Sequence, residues 1–313
     1  MSSGPVAVID LGSNSIKVLV ATRTSNGRLS ALRQRAIDAR ISAGISHTRP
    51  QLSEEGMQRG LDAVRTLLTE AAVFHPDCTV LVATSAVRDA VNGDEFRTRV
   101  KAATGHSLRI LSGEEEANLI GRGLTCDPAL ATLRNFYVFD LGGGSLEGLA
   151  FRERRITQAV SLPLGCVRLT ERFVADPSQP LDDASAAAIA GQVRTLLPTG
   201  SFEFSLPADA IAVGTGGTLT TARAILGACL GQSVEKTDPV ITVTQLRELL
   251  AWLGGLTLAR RKEIAGLPSA RADVFPTALA TFITVAEIGG LTAFHNSFYN
   301  LRWGVAAEAL CPP

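Results

Sequence analysis

The sequence predicts an α/β protein built by duplication, with two like domains presenting their loops to one cleft. Three observations carry that expectation. First, Phe136-Tyr137-Val138-Phe139-Asp140-Leu141-Gly142-Gly143-Gly144-Ser145-Leu146-Glu147 reads as a buried strand ending in an acidic residue, then a glycine run and a second strand. Second, Val6-Ala7-Val8-Ile9-Asp10-Leu11-Gly12-Ser13-Asn14-Ser15-Ile16-Lys17 repeats that plan, with Asp10 and Asp140 standing 130 positions apart (140 − 10). Third, Leu81–Ser85 and Ile211–Thr215 keep the same offset, each an apolar run entering a Thr/Ser/Gly turn before a helix-like segment. Matched units at one spacing argue for duplication. Two such domains facing each other would bring both Asp-Leu-Gly loops to their interface, a common place for ligand pockets.

The elements follow in order. Val6–Asp10, Ile16–Thr22 and Leu29–Ala36 read as strands, the latter two joined by Ser25-Asn26-Gly27, since Asn-Gly between β-prone runs signals a hairpin. Leu52–Phe74 is an amphipathic helix with Ser53 as N-cap, Glu54 and Glu55 at its positive end, and Leu61, Val64, Leu67 and Leu68 on its core face. Thr79–Ala83 is a strand, Asp94–Ala103 a helix and Leu108–Leu111 a strand; Ser112-Gly113-Glu114-Glu115-Glu116 then opens a helix running to about Thr125. The second half gives strands at Asn135–Asp140, Ser145–Phe151 and Arg155–Leu162 and a helix over Asp182–Leu197. A strand at Ile211–Val213 follows, and Gly214–Thr218 leads into a helix through Leu226. From Thr244 onward the chain reads as mainly helical, over Thr244–Leu253, Leu256–Ile264, Phe275–Ile288 and Arg302–Leu310. The repeated order βββαβα is that of a mixed α/β sheet. The boundary falls near Thr125–Leu133, where Cys126-Asp127-Pro128 interrupts the helical pattern, giving domains 1–125 and 126–313.

Composition limits the alternatives. A chain of 313 residues, 46% hydrophobic with 29 glycines, suits two packed domains with many tight turns. Its formal net charge of zero leaves no global electrostatic footprint for nucleic acid or an anionic membrane, so a polyanionic ligand needs a local cluster of cations. Cys78, Cys126, Cys166, Cys229 and Cys311 are scattered without a Cys-x-x-Cys pair, as expected of reduced thiols in a cytoplasmic protein without structural zinc. The N-terminal apolar run lacks a basic lead and is broken by Asp10, which makes it a core strand; no run is long enough to span a membrane. His47, His75, His106 and His295 show no ligand spacing and read as surface residues.

Glycine amides beside Asp140 and Glu147 describe a metal-phosphate site: backbone donors for an anion and two hard oxygen ligands suited to Mg²⁺. Gly214, Thr215, Gly216, Gly217 and Thr218 add an anion-ready helix start. Arg88, a few residues past its strand, can clamp a phosphate bidentately or pair with Asp89 or Glu95. Lys17 reads equally as a phosphate contact or as a lysine beside a hairpin. The Glu114–Glu116 cluster satisfies a helix N-terminus, yet it directly follows a strand, at the edge where α/β sheets bind ligands. A partly desolvated carboxylate there would make a general base for water.

Taken together, these segments resemble the exopolyphosphatase / guanosine pentaphosphate phosphatase (Ppx/GppA) family. The carriers are Ile9 to Lys17, Ala83-Thr84-Ser85-Ala86-Val87-Arg88-Asp89-Ala90-Val91-Asn92, Ile110-Leu111-Ser112-Gly113-Glu114-Glu115-Glu116-Ala117 and Phe139 to Glu147. Ser161-Leu162-Pro163-Leu164-Gly165-Cys166-Val167-Arg168-Leu169, Gly214 to Thr218 and Gly266-Leu267-Pro268-Ser269-Ala270-Arg271-Ala272-Asp273 complete the set, which runs in order over nearly the whole chain. The resemblance implies the short, two-domain form: two ribonuclease H-like domains of the actin/sugar kinase/Hsc70 superfamily, with mixed five-stranded sheets and an interdomain cleft. It makes Glu116 the general base and Arg88 a second catalytic residue that cradles phosphate. Ser13, Asn14, Ser15, Lys17, Thr84, Ser85, Gly142, Gly143, Gly144, Ser145 and Gly214 to Gly217 become phosphate contacts, and Asp140, Glu147 and Asp10 the ligands of Mg²⁺, with a monovalent cation such as K⁺ as a further candidate. The expected substrate is polyphosphate or guanosine pentaphosphate, and the expected assembly a cytoplasmic homodimer. Two rivals remain on the same fold: a non-catalytic alarmone or nucleotide sensor, which has no need of Glu116, and a small-molecule kinase, for whose acceptor pocket the sequence shows no signal.

Overall fold

Each half of the chain grows its sheet outward from an Asp-Leu-Gly strand end. The computed structural model describes residues 4–310. By contacts, the chain divides into a first unit of Met1–Thr132 with Tyr299–Pro313 and a second unit of Leu133–Phe298.

In the first unit β1 (Val6–Leu11), β2 (Ile16–Arg23) and β3 (Leu29–Ile37) form an antiparallel meander, and α1 (Glu54–Ala72) crosses to β4 (Cys78–Ala83), which pairs parallel with β1. A single turn, α2 (Ser85–Arg88), then α3 (Gly93–Thr104), lead to β5 (Leu108–Ile110) and α4 (Gly113–Leu124). The sheet order is β3-β2-β1-β4-β5. The expected hairpin closes through Thr24 and Arg28, and the Ser53 side chain accepts the Gly56 amide as N-cap of α1. Val64 and Leu67 of α1 are buried, whereas Leu61 and Leu68 are half-buried.

The second unit repeats the meander with β6 (Phe136–Leu141), β7 (Leu146–Arg152) and β8 (Arg155–Leu162). It continues through α5 (Cys166–Phe173), α6 (Asp183–Thr199), β9 (Ile211–Thr215) and α7 (Gly216–Cys229). β10 (Val240–Thr242), α8 (Val243–Gly254), α9 (Leu258–Arg261), α10 (Phe275–Gly289) and β11 (Ala293–Asn296) complete it. Its sheet has six strands, ordered β10-β11-β9-β6-β7-β8, not the five expected. Aromatic rings fill the core: Phe136 stacks on Phe151, while Phe202 and Phe204 meet each other and the rings of Tyr137 and Phe139 edge-on or tilted.

Three expectations change. β11 lies in the part that read as mainly helical and β10 just before it, in a stretch assigned no element, since three- and four-residue strands are too short to show alternation. The helix expected over Leu256–Ile264 contracts to the four residues of α9. Finally, α11 (Leu301–Leu310) packs on α4, β1 and β2, so the last segment belongs with the first unit and not with Leu133–Phe298. Close contact explains the return: a Cβ on Gly304 would collide with the Leu119 carbonyl, and the buried Arg302 donates from Nη1 to the Val18 carbonyl at 3.0 Å.

The duplication is also imperfect in register. Asp10 pairs with Val82 on β4, whereas Asp140 pairs with Thr215 on β9, which advances β9 by three residues against the common offset. The four described cysteines are thiols, and Cys311 lies outside the described residues. His47 and His75 are exposed; His106 and His295, the latter on β11, are half-buried. Among the described residues no helix is long and apolar enough to cross a membrane.

Candidate active site

In the first unit the polar residues gather at the carboxyl ends of β1, β4 and β5. Loop 12–15 joins β1 to β2, and its carbonyls are tied from outside: Arg40 donates its amide to Asn14 and Ser42 to Ser13. The Ser13 and Ser85 hydroxyls are 3.2 Å apart, which links this loop to the start of α2. One turn later Arg88 donates from Nη1 to Glu116 Oε2 at 2.7 Å, and its Nε lies 3.4 Å from Asp89 Oδ1. Both of Arg88's anticipated roles are thus still in play, except that Glu95 pairs with Arg99 instead. α2 therefore carries the contact to loop 12–15 at one end and the contact to Glu116 at the other. Asp10, Ser13, Asn14, Ser15, Thr84, Ser85 and Glu116 are all buried, an unusual density of polar groups for one sheet edge.

Helix phase separates the three glutamates. Ser112 and Glu115 form a capping box, in which Glu115 accepts the Ser112 amide at 2.8 Å and Ser112 Oγ accepts the Glu115 amide at 3.1 Å. The Ser112 amide, and then Arg109, hold the Glu115 carboxyl below the usual range. Glu114 is exposed, while Glu116 is only 6% exposed, on the same face as Ile120 and Gly123.

In the second unit loop 142–145 has the same four-residue form. Cys166 donates its amide to Gly142, and Val167 and Arg168 donate theirs to Gly143, so the start of α5 grips the loop's carbonyls. A Cβ at Gly165 would strike the Gly143 and Gly144 backbone. Gly142, Gly143 and Gly144 all have φ outside the left-handed region. That backbone occurs at Gly216 (φ 77°), where a Cβ would run into Asp140 Oδ1. Gly214 and Thr215 lie within β9 and are buried, Thr215 completely; Ser297 donates its amide to the Gly214 carbonyl, and Gly216 and Gly217 open α7.

Asp140 and Glu147 stand directly opposite each other on β6 and β7, and Glu147 Oε1 accepts from Ser161 Oγ at 2.7 Å. The same row in the first unit sets Asp10 opposite Lys17, whose ammonium opposes a cation there. Among the described residues no group of three or more His, Cys, Asp and Glu side chains forms that could hold a metal ion. Two facing carboxylates with a glycine turn against one of them do fit Mg²⁺, which keeps several waters and takes one or two carboxylates plus substrate oxygens.

A profile of the Ppx/GppA phosphatase family matches residues 19–311. The chain belongs to this family. The Ppx/GppA chain is 33% identical over 307 residues to the guanosine-5'-triphosphate,3'-diphosphate pyrophosphatase of Vibrio vulnificus, a match covering 97% of this chain and 59% of that relative. It thus spans about three fifths of the curated relative's length. Among solved structures, an exopolyphosphatase from Cytophaga hutchinsonii superposes with a TM-score of 0.86 at 23% identity, covering 98% of this chain and 97% of that one. The Aquifex aeolicus PPX-GPPA enzyme superposes at 0.75 with 26% identity, covering 96% and 98%. The fold, two α/β units each built on a mixed sheet, is shared with them.

Four side chains in contact with these loops and with Glu147 lie outside the set chosen from sequence. Arg168 donates from Nε to the Gly144 carbonyl at 2.9 Å, and the Arg271 guanidinium lies against Gly217. Asn296 is buried and donates to the Gly214 carbonyl at 3.3 Å, and Ser161 holds Glu147. Three of them sit in segments that carry the family resemblance, so the signal was present in position but not in role. Asn296 lies on a strand that the sequence did not reveal.

Proposed function

We propose that this Ppx/GppA chain is a phosphohydrolase that releases terminal orthophosphate from guanosine pentaphosphate or inorganic polyphosphate. The observation that carries the reading is Glu116: alone among Glu114–Glu116 it is buried, and a guanidinium holds its carboxylate at 2.7 Å. A helix-terminus carboxylate needs neither feature. In the reaction Glu116 takes a proton from water, the water oxygen bonds to the terminal phosphorus, and the bridging P–O bond breaks toward the shortened phosphate chain. A chain of zero net charge needs local positive charge for a polyanion, and each unit has its own: Arg88 in the first, Arg168 and Arg271 in the second. Asp140 and Glu147 would hold Mg²⁺, which supplies charge neutralisation on the phosphate oxygens. The name of the Vibrio vulnificus relative supports guanosine pentaphosphate as substrate, and the name of the Cytophaga hutchinsonii structure supports polyphosphate.

The test is phosphate release with Mg²⁺ from guanosine pentaphosphate, short and long polyphosphate and ATP. Wild-type protein should release phosphate from one of the first three. Glu116→Gln should slow single-turnover release by about 10²- to 10⁴-fold with ligand affinity retained, and Glu114→Gln should leave it nearly intact. Binding of guanosine pentaphosphate without phosphate release from any substrate would replace this reading with the sensor.

A further inference from the structure

Thr215, Asp140, Glu147 and Ser161 stand in one register row across β9, β6, β7 and β8. Residues directly opposite on neighbouring strands project from the same face and meet side by side. The Ser161 hydroxyl does so, donating to Glu147 Oε1 at 2.7 Å. Glu147 is 2% exposed, and a carboxylate that deep requires hydrogen-bond donors. The duplicated row in the first unit reads Val82, Asp10, Lys17 and Ala36. Where the carboxylate is a lysine, its hydroxyl partner is an alanine. The aspartate is common to both rows; the carboxylate and its donor occur together in one and are absent together from the other.

We propose that Ser161 is a positioning residue for the cation site, orienting Glu147 toward a divalent cation; this rests on the reading that Asp140 and Glu147 bind one. A donor on Oε1 fixes the carboxylate plane, so the ion meets a prearranged ligand and not a rotor that must be ordered on binding. Partners one step beyond a metal's own ligands set affinity in this way, and their loss typically costs about 10- to 100-fold. A serine serving only to satisfy a buried carboxylate would change stability instead.

Mn²⁺ titration of the cation-free protein by electron paramagnetic resonance separates the two roles, with Mn²⁺ standing in for Mg²⁺. Ser161→Ala should weaken Mn²⁺ binding by about 10- to 100-fold, and Ser161→Thr, which keeps the hydroxyl, should restore it. Phosphate release by Ser161→Ala should recover as Mg²⁺ is raised to saturation. If Ser161→Ala does not fold, Ser161→Cys is read in its place, because a thiol fills the space but donates weakly. Glu147→Gln is the control on the underlying reading. Wild-type Mn²⁺ affinity in Glu147→Gln would overturn the cation site itself. Weakened binding in Glu147→Gln with wild-type affinity in Ser161→Ala would overturn the role of Ser161 and leave the cation site standing.

Discussion

Three consecutive glutamates do three different jobs at the start of one helix. Glu114 faces solvent, Glu115 closes a capping box, and Glu116 is buried against Arg88. The capping role has its own signature. Glu115 titrates below its ordinary value, so its contribution to stability is present above the unfolded carboxylate value and is lost as pH falls through the folded one. Glu115→Gln should therefore lower stability at pH 7 by less than about 1 kcal/mol, given its exposure, and the gap to wild type should narrow at a pH below the ordinary carboxylate value. Denaturant melts of both proteins at the two pH values check this. Part of the distinction was legible: positions 116, 120 and 123 fall on one helical face, and an acidic residue on an apolar stripe is a signal. The partner was not. That Arg88 reaches Glu116 and not Glu95 depends on how α2 and α4 leave neighbouring strands, which local pattern does not encode.

At the scale of elements, strands and long helices were legible because their periodicity spans many residues, and β8 matches its expected limits, Arg155–Leu162. What escaped was short or tertiary. Val240–Thr242 and Ala293–Asn296 become strands by pairing with each other and with β9, so their state is decided by distant partners. The glycine run was legible as a loop, but the residue with left-handed backbone is Gly216, at the first position of α7. Gly216→Ala should cost about 1–2 kcal/mol for the backbone alone. It should also displace the Asp140 carboxylate that a new Cβ would meet. A lowered Tm together with weakened Mn²⁺ binding is the expected result; a lowered Tm with unchanged Mn²⁺ binding would separate the turn from the cation site.

At the scale of the whole molecule, the second unit is one continuous stretch, Leu133–Phe298, set between two pieces of the first. The duplication was visible as a fixed offset, but the return of the last helix was not, since a helix buried on nearly every face does not declare which sheet it will cover. A fragment of residues 133–298 should melt cooperatively on its own. A fragment of residues 4–132 should not, because α11 supplies the face that α4, β1 and β2 pack against; circular dichroism melts of the two fragments test this. Helix α11 also reverses the usual relation between synthesis and assembly. The residues translated first cannot finish folding until the last helix leaves the ribosome, whereas the middle of the chain can fold as soon as it emerges. At bacterial-like translation speeds that delay is on the order of ten seconds or more, during which β1 and β2 keep an apolar face uncovered. The nascent chain, more than the finished protein, is where this fold invites a chaperone.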